Sequence, residues 1–198
     1  MSVVEVIPVR QLGRTRYSDV LEEMRAFTRG AHATEEIWLT EHDPVYTLGQ
    51  GAPQRAVGND IPVVRSDRGG DITYHGPGQV VLYALVDLAR RGIKVKRYVW
   101  LLEQAVIDLL GRGERRAGAP GVYIDGAKIA ALGIRVVRGR AYHGLSLNVD
   151  MDLSPFSAID PCGYPGLKVT QMRDIGFSET KEQIGLNLSR ILVEKLDA

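Results

Sequence analysis

The sequence predicts an α+β fold, and three observations carry that expectation. Apolar residues recur at helical spacing in three separated stretches. Between them lie short runs rich in Val, Ile and Tyr, joined by glycine-containing turns rather than by regular helical crossovers. Neither G-x-G-x-x-G nor G-x-x-x-x-G-K-[S/T] marks a nucleotide-binding parallel sheet. Such a mixed order favours helices set beside hairpin-rich sheets over a doubly wound sheet.

The elements follow in order. Residues 3–9 alternate apolar and polar side chains and predict a first strand. Tyr17, Leu21, Met24 and Phe27 share one helical face, so residues 17–29 predict an amphipathic helix. Residues 37–40 and 45–48 read as strands on either side of an Asp43-Pro44 turn, and Gly49, Gly51 and Pro53 open a loop. Residues 63–65, 72–74 and 80–86 are three further strands separated by glycine clusters. Val99, Leu102, Val106 and Leu109 give a second helix over 96–110 that stops at Gly111. Residues 122–124 and 128–137 flank Asp125-Gly126, a dipeptide suited to the left-handed φ of a tight hairpin turn. Arg138-Gly139 turns the chain into a strand at 141–149, and the Pro/Gly-rich stretch 155–166 is a loop. Thr180 with Gln183 offers a capping box for a last helix, with Ile184, Leu188, Ile191 and Leu192 inward.

Composition narrows the possible functions. With 198 residues, 44% hydrophobic and 25% charged, the chain matches an ordinary globule and one domain spanning 1–198. At that size about 70% of the chain's surface can be buried, so the core needs no covalent staples. No apolar run is long enough for a membrane span, and the first ten residues carry an acid inside their apolar stretch without a basic leader. A single cysteine, Cys162, excludes an internal disulfide framework and a Cys-rich zinc site. Together these predict a cytoplasmic protein. The net charge of +1 gives no global pull toward nucleic acid or a membrane surface. Two acid-free stretches stand out: Arg90, Arg91, Lys94, Lys96 and Arg97, then Lys128, Arg135, Arg138 and Arg140. A solvated face with acids supplied from elsewhere in the fold is the plainer reading, and a docking patch for an acidic partner the alternative.

Reactive side chains concentrate in two glycine-rich segments. Arg68-Gly69-Gly70-Asp71-Ile72-Thr73-Tyr74-His75-Gly76-Pro77-Gly78-Gln79 is denser in glycine than a pair of turns requires, and turns alone do not explain its Arg and His. In Asp160-Pro161-Cys162-Gly163-Tyr164-Pro165-Gly166 a lone cysteine lies between Pro and Gly, in a loop where core residues are uncommon. A nucleophilic thiolate needs a nearby cation or base, and Lys128, His75 and His143 are the candidates. Composition alone leaves nucleophile and core filler evenly matched. His32, His42, His75 and His143 lack metal-ligand spacing. Lys128 opens a small, apolar strand, where pattern alone favours an exposed residue just past a hairpin turn.

Four motifs in order, R-G-G-D-I-T-Y-H-G-P-G-Q at 68–79, A-K-I-A-A-L-G at 127–133, Y-H-G-L-S-L-N at 142–148 and D-P-C-G-Y at 160–164, resemble those of the lipoyl(octanoyl) transferase family. E-H-D-P-V-Y-T-L-G at 41–49 fits as well, so the likeness runs from about residue 36 to 172. The resemblance implies the biotin/lipoate ligase fold and transfer of an octanoyl group from acyl carrier protein to a lysine of a lipoyl domain. The acceptors would be lipoyl domains of 2-oxoacid dehydrogenase E2 subunits and the glycine cleavage H protein, with neither nucleic acid nor membrane as partner. It implies Cys162 as the nucleophile that carries the acyl thioester and Lys128 as the residue that lowers the thiol pKa. It implies substrate binding by Arg68, Gly69, Gly70, Asp71, Ile72, Thr73, Tyr74 and His75, by Ala131, Leu132 and Gly133, and by Gly144, Leu145 and Ser146. No metal or cofactor is implied. Three alternatives remain on the residues: an ATP-dependent lipoate or biotin ligase, a cysteine hydrolase pairing Cys162 with His143, and a non-catalytic module that docks on carrier domains.

Overall fold

The computed structural model describes residues 7–30, 34–54, 57–159 and 166–198. Nine strands and three helices form an α+β architecture among them. The strands are β1 (Val9–Thr15), β2 (Glu36–His42), β3 (Val45–Leu48), β4 (Val63–Arg65), β5 (Ile72–His75), β6 (Gln79–Asp87), β7 (Gly121–Ile124), β8 (Ala127–Val137) and β9 (Arg140–Asn148). The helices are α1 (Tyr17–Arg29), α2 (Val95–Leu110) and α3 (Lys181–Leu196). The larger sheet runs β1-β2-β6-β9-β8-β7 and the smaller β4-β3-β5. Within the larger sheet only β1 and β2 are parallel, and its other neighbours pair antiparallel.

Strand β6 shows why the larger sheet sits at the centre. Its side chains alternate between two apolar layers, as successive Cβ atoms point to opposite faces. Val80, Leu82, Ala84 and Val86 pack toward α2 and α3, whereas Val81, Tyr83 and Leu85 meet Tyr17, Leu21 and Met24 of α1. A strand buried on both faces reads as a continuous apolar run, as this one does. A third cluster joins Tyr46, Leu48, Ile72 and Tyr74 of the smaller sheet to Phe156 and Ile159. Each helix follows its apolar stripe: Leu102, fully buried on α2, makes a Leu102→Ala change cost about 2–5 kcal/mol. Gly111 ends α2 at φ 67°, and the expected capping box forms at Thr180 and Gln183.

Both short hairpins form with left-handed turn residues, Asp125 (φ 48°) and Gly126 (82°), then Arg138 (51°) and Gly139 (84°). The first strand differs from expectation: β1 starts at Val9, where the alternation ends, and residues 3–6 lie outside the described residues. Pro8 has no N–H for a ladder, so its carbonyl accepts from Ile37 N–H (2.9 Å) just before β1 begins. Parallel pairing with β2, from Val9↔Ile37 to Thr15↔His42, then makes a strand of a largely exposed sequence with little apolar alternation. The Asp43-Pro44 turn separates strands of different sheets. Of the first basic stretch, Arg90 and Arg91 are bound to the buried carboxylate of Glu35 (3.0 and 2.6 Å), and Arg91 also pairs with Asp197 (2.9 Å). Acids from distant segments thus balance these two arginines, while Lys94, Lys96 and Arg97 stay exposed.

Candidate active site

The two sheets meet along a cleft. Thr73 and His75 of β5 form one wall, and Ala131, Gly133, Gly144 and Ser146 of β8 and β9 form the other. Arg68, Gly70, Asp71 and Ile72 border it, as do Leu132 and Leu145, whose side chains pack toward α2 and α3. The wall is thin by construction. A Cβ on Gly144 would stand 2.2 Å from the Leu82 carbonyl oxygen, and one on Gly133 2.9 Å from the Gly69 oxygen. Gly69 N–H donates to the Ile134 carbonyl (3.0 Å) and ties the 68–71 loop to β8. Arg68 is buried and holds that loop in shape, donating to the Thr47 carbonyl (2.7 Å), Thr47 Oγ1 (2.9 Å) and the Gly69 carbonyl (2.9 Å). Gly69 and Tyr74 do not line the cleft: alternation along β5 turns Tyr74 away, onto Tyr46 and Phe156.

Four residues beyond the expected binding set complete the wall: Tyr17, Val81, Tyr83 and His143. Tyr17, Tyr83 and His143 belong to a buried aromatic and histidine group. His75 stacks on Tyr17 (5.9 Å between centroids) and donates through Nδ1 to Gln79 Oε1 (2.8 Å). His42 Nε2 meets the Tyr83 hydroxyl at 2.7 Å, and His143 Nε2 donates to Asp67 Oδ1 (2.8 Å). Burial pushes His42 down to about 4 and His75 down to about 3, so both are neutral at pH 7. Burial also lowers His143, against the pull of Asp67. Asp67 itself is raised by burial, but hydrogen bonds from His143, Tyr142 and Arg25 outweigh that and hold it well below the usual carboxylate range. His143 adopts φ 63° within β9, a left-handed conformation uncommon for a non-glycine residue. In sequence, Tyr17 was hidden in an ordinary helical stripe; its hydroxyl bond to Ser66 (2.7 Å) bridges segments far apart in the chain.

Lys128 is buried, at 3% exposure, against the plain expectation of an exposed residue past a turn. A β-bulge is the reason. Val122 pairs with Ala130 but Tyr123 with Lys128, so Ile129 is an extra residue on β8. Ile129 and Ala130 both pack toward the helices, and Lys128 therefore lies on the cleft side with Ala131. Plain alternation from Ala131 would have sent Ile129 into the cleft and Lys128 into the helix layer. The Lys128 Nζ donates to the Pro120 carbonyl (3.1 Å) and lies 5.2 Å from the Tyr123 ring centre. It adjoins Thr73, Ala131 and Ser146, residues shared with the main cleft. Cys162 lies outside the described residues, as does His32. Both described flanks of the 160–165 segment reach Lys128. Phe156 and Val169 line the same recess, and Lys128 N–H donates to the Lys168 carbonyl (2.8 Å) while its own carbonyl accepts from Thr170 N–H (3.0 Å).

Residues 18–185 match the family described as the lipoyl protein ligase A/B catalytic domain, and the chain belongs to that family. An octanoyltransferase of Thiobacillus denitrificans is 60% identical over 183 residues, covering 88% of this chain and 84% of that protein. Solved structures share the fold at low identity. The bi-partite lipoate protein ligase of Thermoplasma acidophilum matches with TM-score 0.72 and 17% identity over 98% of this chain and 84% of its own. Biotin protein ligase of Aquifex aeolicus matches with TM-score 0.60 and 10% identity over 98% and 70%. The α+β fold of the biotin/lipoate ligase type is thus the fold of this chain.

Proposed function

We propose that this chain, acting as a single catalytic domain over residues 1–198, takes an octanoyl group from acyl carrier protein and passes it to a lysine of a lipoyl domain. Octanoyl transfer in protein lipoylation is its activity, in keeping with octanoyltransferases 54–60% identical over most of the chain. The donor, the acceptors (lipoyl domains of 2-oxoacid dehydrogenases and the glycine cleavage H protein), the cytoplasmic setting and the residues below are our reading.

In the first half-reaction Lys128 takes the Cys162 proton and the sulfur attacks the donor's thioester carbonyl. A new C–S bond forms, the carrier's C–S bond breaks, and the carrier thiolate leaves with the proton. In the second, the acceptor amine attacks the Cys162 thioester. A C–N bond forms, the C–S bond to Cys162 breaks, and Lys128 receives the amine's proton and returns it to the Cys162 thiolate. Exchanging one thioester for another costs little, and forming the amide drives the sequence forward. No nucleotide enters either step. One observation chiefly supports this reading: a lysine buried by a β-bulge beside the glycine-walled cleft, bridged to the chain that follows Cys162. The cleft is narrow, with about 40 Å³ of free volume between its glycine-rich walls.

Incubation with octanoyl-acyl carrier protein in the absence of ATP tests it. Intact mass should show an octanoyl adduct on the wild-type chain and its transfer to an added lipoyl domain, and Cys162→Ser should show neither. An absolute requirement for ATP would overturn the reading in favour of adenylate chemistry, and full turnover by Cys162→Ser would remove the nucleophile.

A further inference from the structure

Helix α2 turns a carboxylate inward. Its inner face is otherwise Tyr98, Leu101, Leu102, Ala105, Val106 and Leu110, yet Glu103 is buried among them at 6% exposure. Burying a charge is costly unless it is bonded, and a core helix gains nothing from one at this position. Both oxygens are engaged: Oε1 accepts from Gly121 N–H (3.0 Å), and Oε2 lies 3.2 Å from Arg115 Nε. Gly121 directly follows Pro120, whose carbonyl accepts from Lys128 Nζ.

That turn is built tightly around the lysine. Gly121 has φ +145°, and a Cβ there would stand 2.6 Å from the Ala130 oxygen and 2.7 Å from Lys128 Cε. Only glycine lets the lysine side chain lie across this backbone. Tyr123 holds the other end, its hydroxyl donating to the Ala119 carbonyl (3.0 Å) while its ring faces Lys128 Nζ. Glu103 and Tyr123 thus fix residues 119–121 from both sides, and the Pro120 oxygen between them is where Nζ is held.

We propose that Glu103 is a positioning residue for Lys128, acting through the 119–121 turn, with Tyr123 as its second support. This rests on the reading of Lys128 as the group that exchanges protons with Cys162. Without the Glu103 anchor the Gly121 N–H loses its partner, the turn shifts, and Nζ is no longer held at the Pro120 carbonyl. Misplacement by an ångström is enough to slow that proton exchange about a hundredfold.

The test compares Glu103→Ala, Glu103→Gln, Lys128→Ala and the double variant Glu103→Ala/Lys128→Ala. Each is measured for kcat and KM with octanoyl-acyl carrier protein, for the pH profile of Cys162 alkylation by iodoacetamide, and for melting temperature. We expect Glu103→Ala to lower kcat about tenfold or more with KM within about twofold, and to displace the alkylation profile toward that of Lys128→Ala. Glu103→Gln keeps an acceptor for Gly121 N–H and should recover most of the lost rate. On the Lys128→Ala background, Glu103→Ala should change kcat less than about twofold, the non-additivity of groups acting through one another. Additive losses, or a Glu103→Ala profile that stays with the wild type while Lys128→Ala moves it, would overturn the positioning role alone. A profile unmoved by Lys128→Ala would instead sink the reading of Lys128 itself. Should Glu103→Ala fail to fold, Tyr123→Phe, which removes only the hydroxyl bond to Ala119, is read by the same criteria.

Discussion

The two ends of the cleft bury ionisable groups in opposite ways. At one end His42, His75 and His143 are bonded to Tyr83, Gln79 and Asp67, and burial holds His42 and His75 neutral and lowers His143. At the other, Lys128 is held by a carbonyl and an aromatic ring, with the chain that follows Cys162 bridged to its backbone. His75 and His143 line the cleft from within a bonded side-chain network, whereas under the proposed function the lysine is the group that meets the reacting sulfur. Residue type misleads here, because histidine is the side chain that usually titrates near neutrality.

The largest effect that could break this contrast is on turnover. Lys128→Ala should cut transfer by about a thousandfold, in the range lost with a general base, and move Cys162 alkylation to higher pH. Lys128→Arg keeps the charge but cannot shuttle a proton, so it should be nearly as slow. His75→Asn, which retains a donor for Gln79, should lose less than about tenfold. A His75→Asn enzyme as slow as Lys128→Ala would show that the histidine end is chemical.

Stability against pH sharpens the other half. His42 and His75 bind protons far more weakly folded than unfolded, where both titrate near 6.5. Their penalty is absent above pH 6.5, grows as pH falls, and saturates only below about 4 and about 3. Urea unfolding should therefore show several kcal/mol lost, on the order of 1.4 per pH unit per group, between pH 6.5 and 4. Asp67, held low, adds to the loss at still lower pH. His42→Gln should flatten the first part of that slope, and a slope unchanged in His42→Gln would argue against neutral burial.

Gly144→Ala comes next. Its Cβ would meet the Leu82 carbonyl oxygen at 2.2 Å, backbone that cannot turn aside, so a loss of about 1–3 kcal/mol in thermal unfolding is expected. The smallest effect concerns Tyr74, which faces Phe156 rather than the cleft: Tyr74→Phe should leave KM within about twofold. A large rise in KM would return Tyr74 to the binding wall.

Much of this was legible in the sequence. The helices appeared because their apolar stripes are periodic, and both hairpins because Asp125-Gly126 and Arg138-Gly139 carry their own turn chemistry. The glycine-rich segment at 68–75 and the 131–133 and 144–146 strands do converge on one cleft. Strand β1 was misplaced because partner pairing, not its own pattern, makes it a strand. Tyr74 could have been set aside by simple alternation along β5. The orientation of Lys128 could not, since one inserted residue, Ile129, reverses the faces, and nothing in A-K-I-A-A-L-G announces a bulge. Tyr17 and Glu103 were illegible for different reasons: Tyr17 reads as one more member of the α1 apolar stripe, and Glu103 sits on an α2 face whose pattern is satisfied without it.

The bridge between Lys128 and Val169 has a consequence for how the protein comes together. It joins β8 to a segment about forty residues downstream through two backbone hydrogen bonds, a costly loop to close for so small a local gain. The β8–β9 hairpin, by contrast, closes over the two residues Arg138 and Gly139. Assembly should follow that difference in contact order, with hairpins and helices forming early and this bridge among the last contacts. Amide exchange at Lys128 and Thr170, faster than at Leu145 in the centre of β9, would be the signature of that late step.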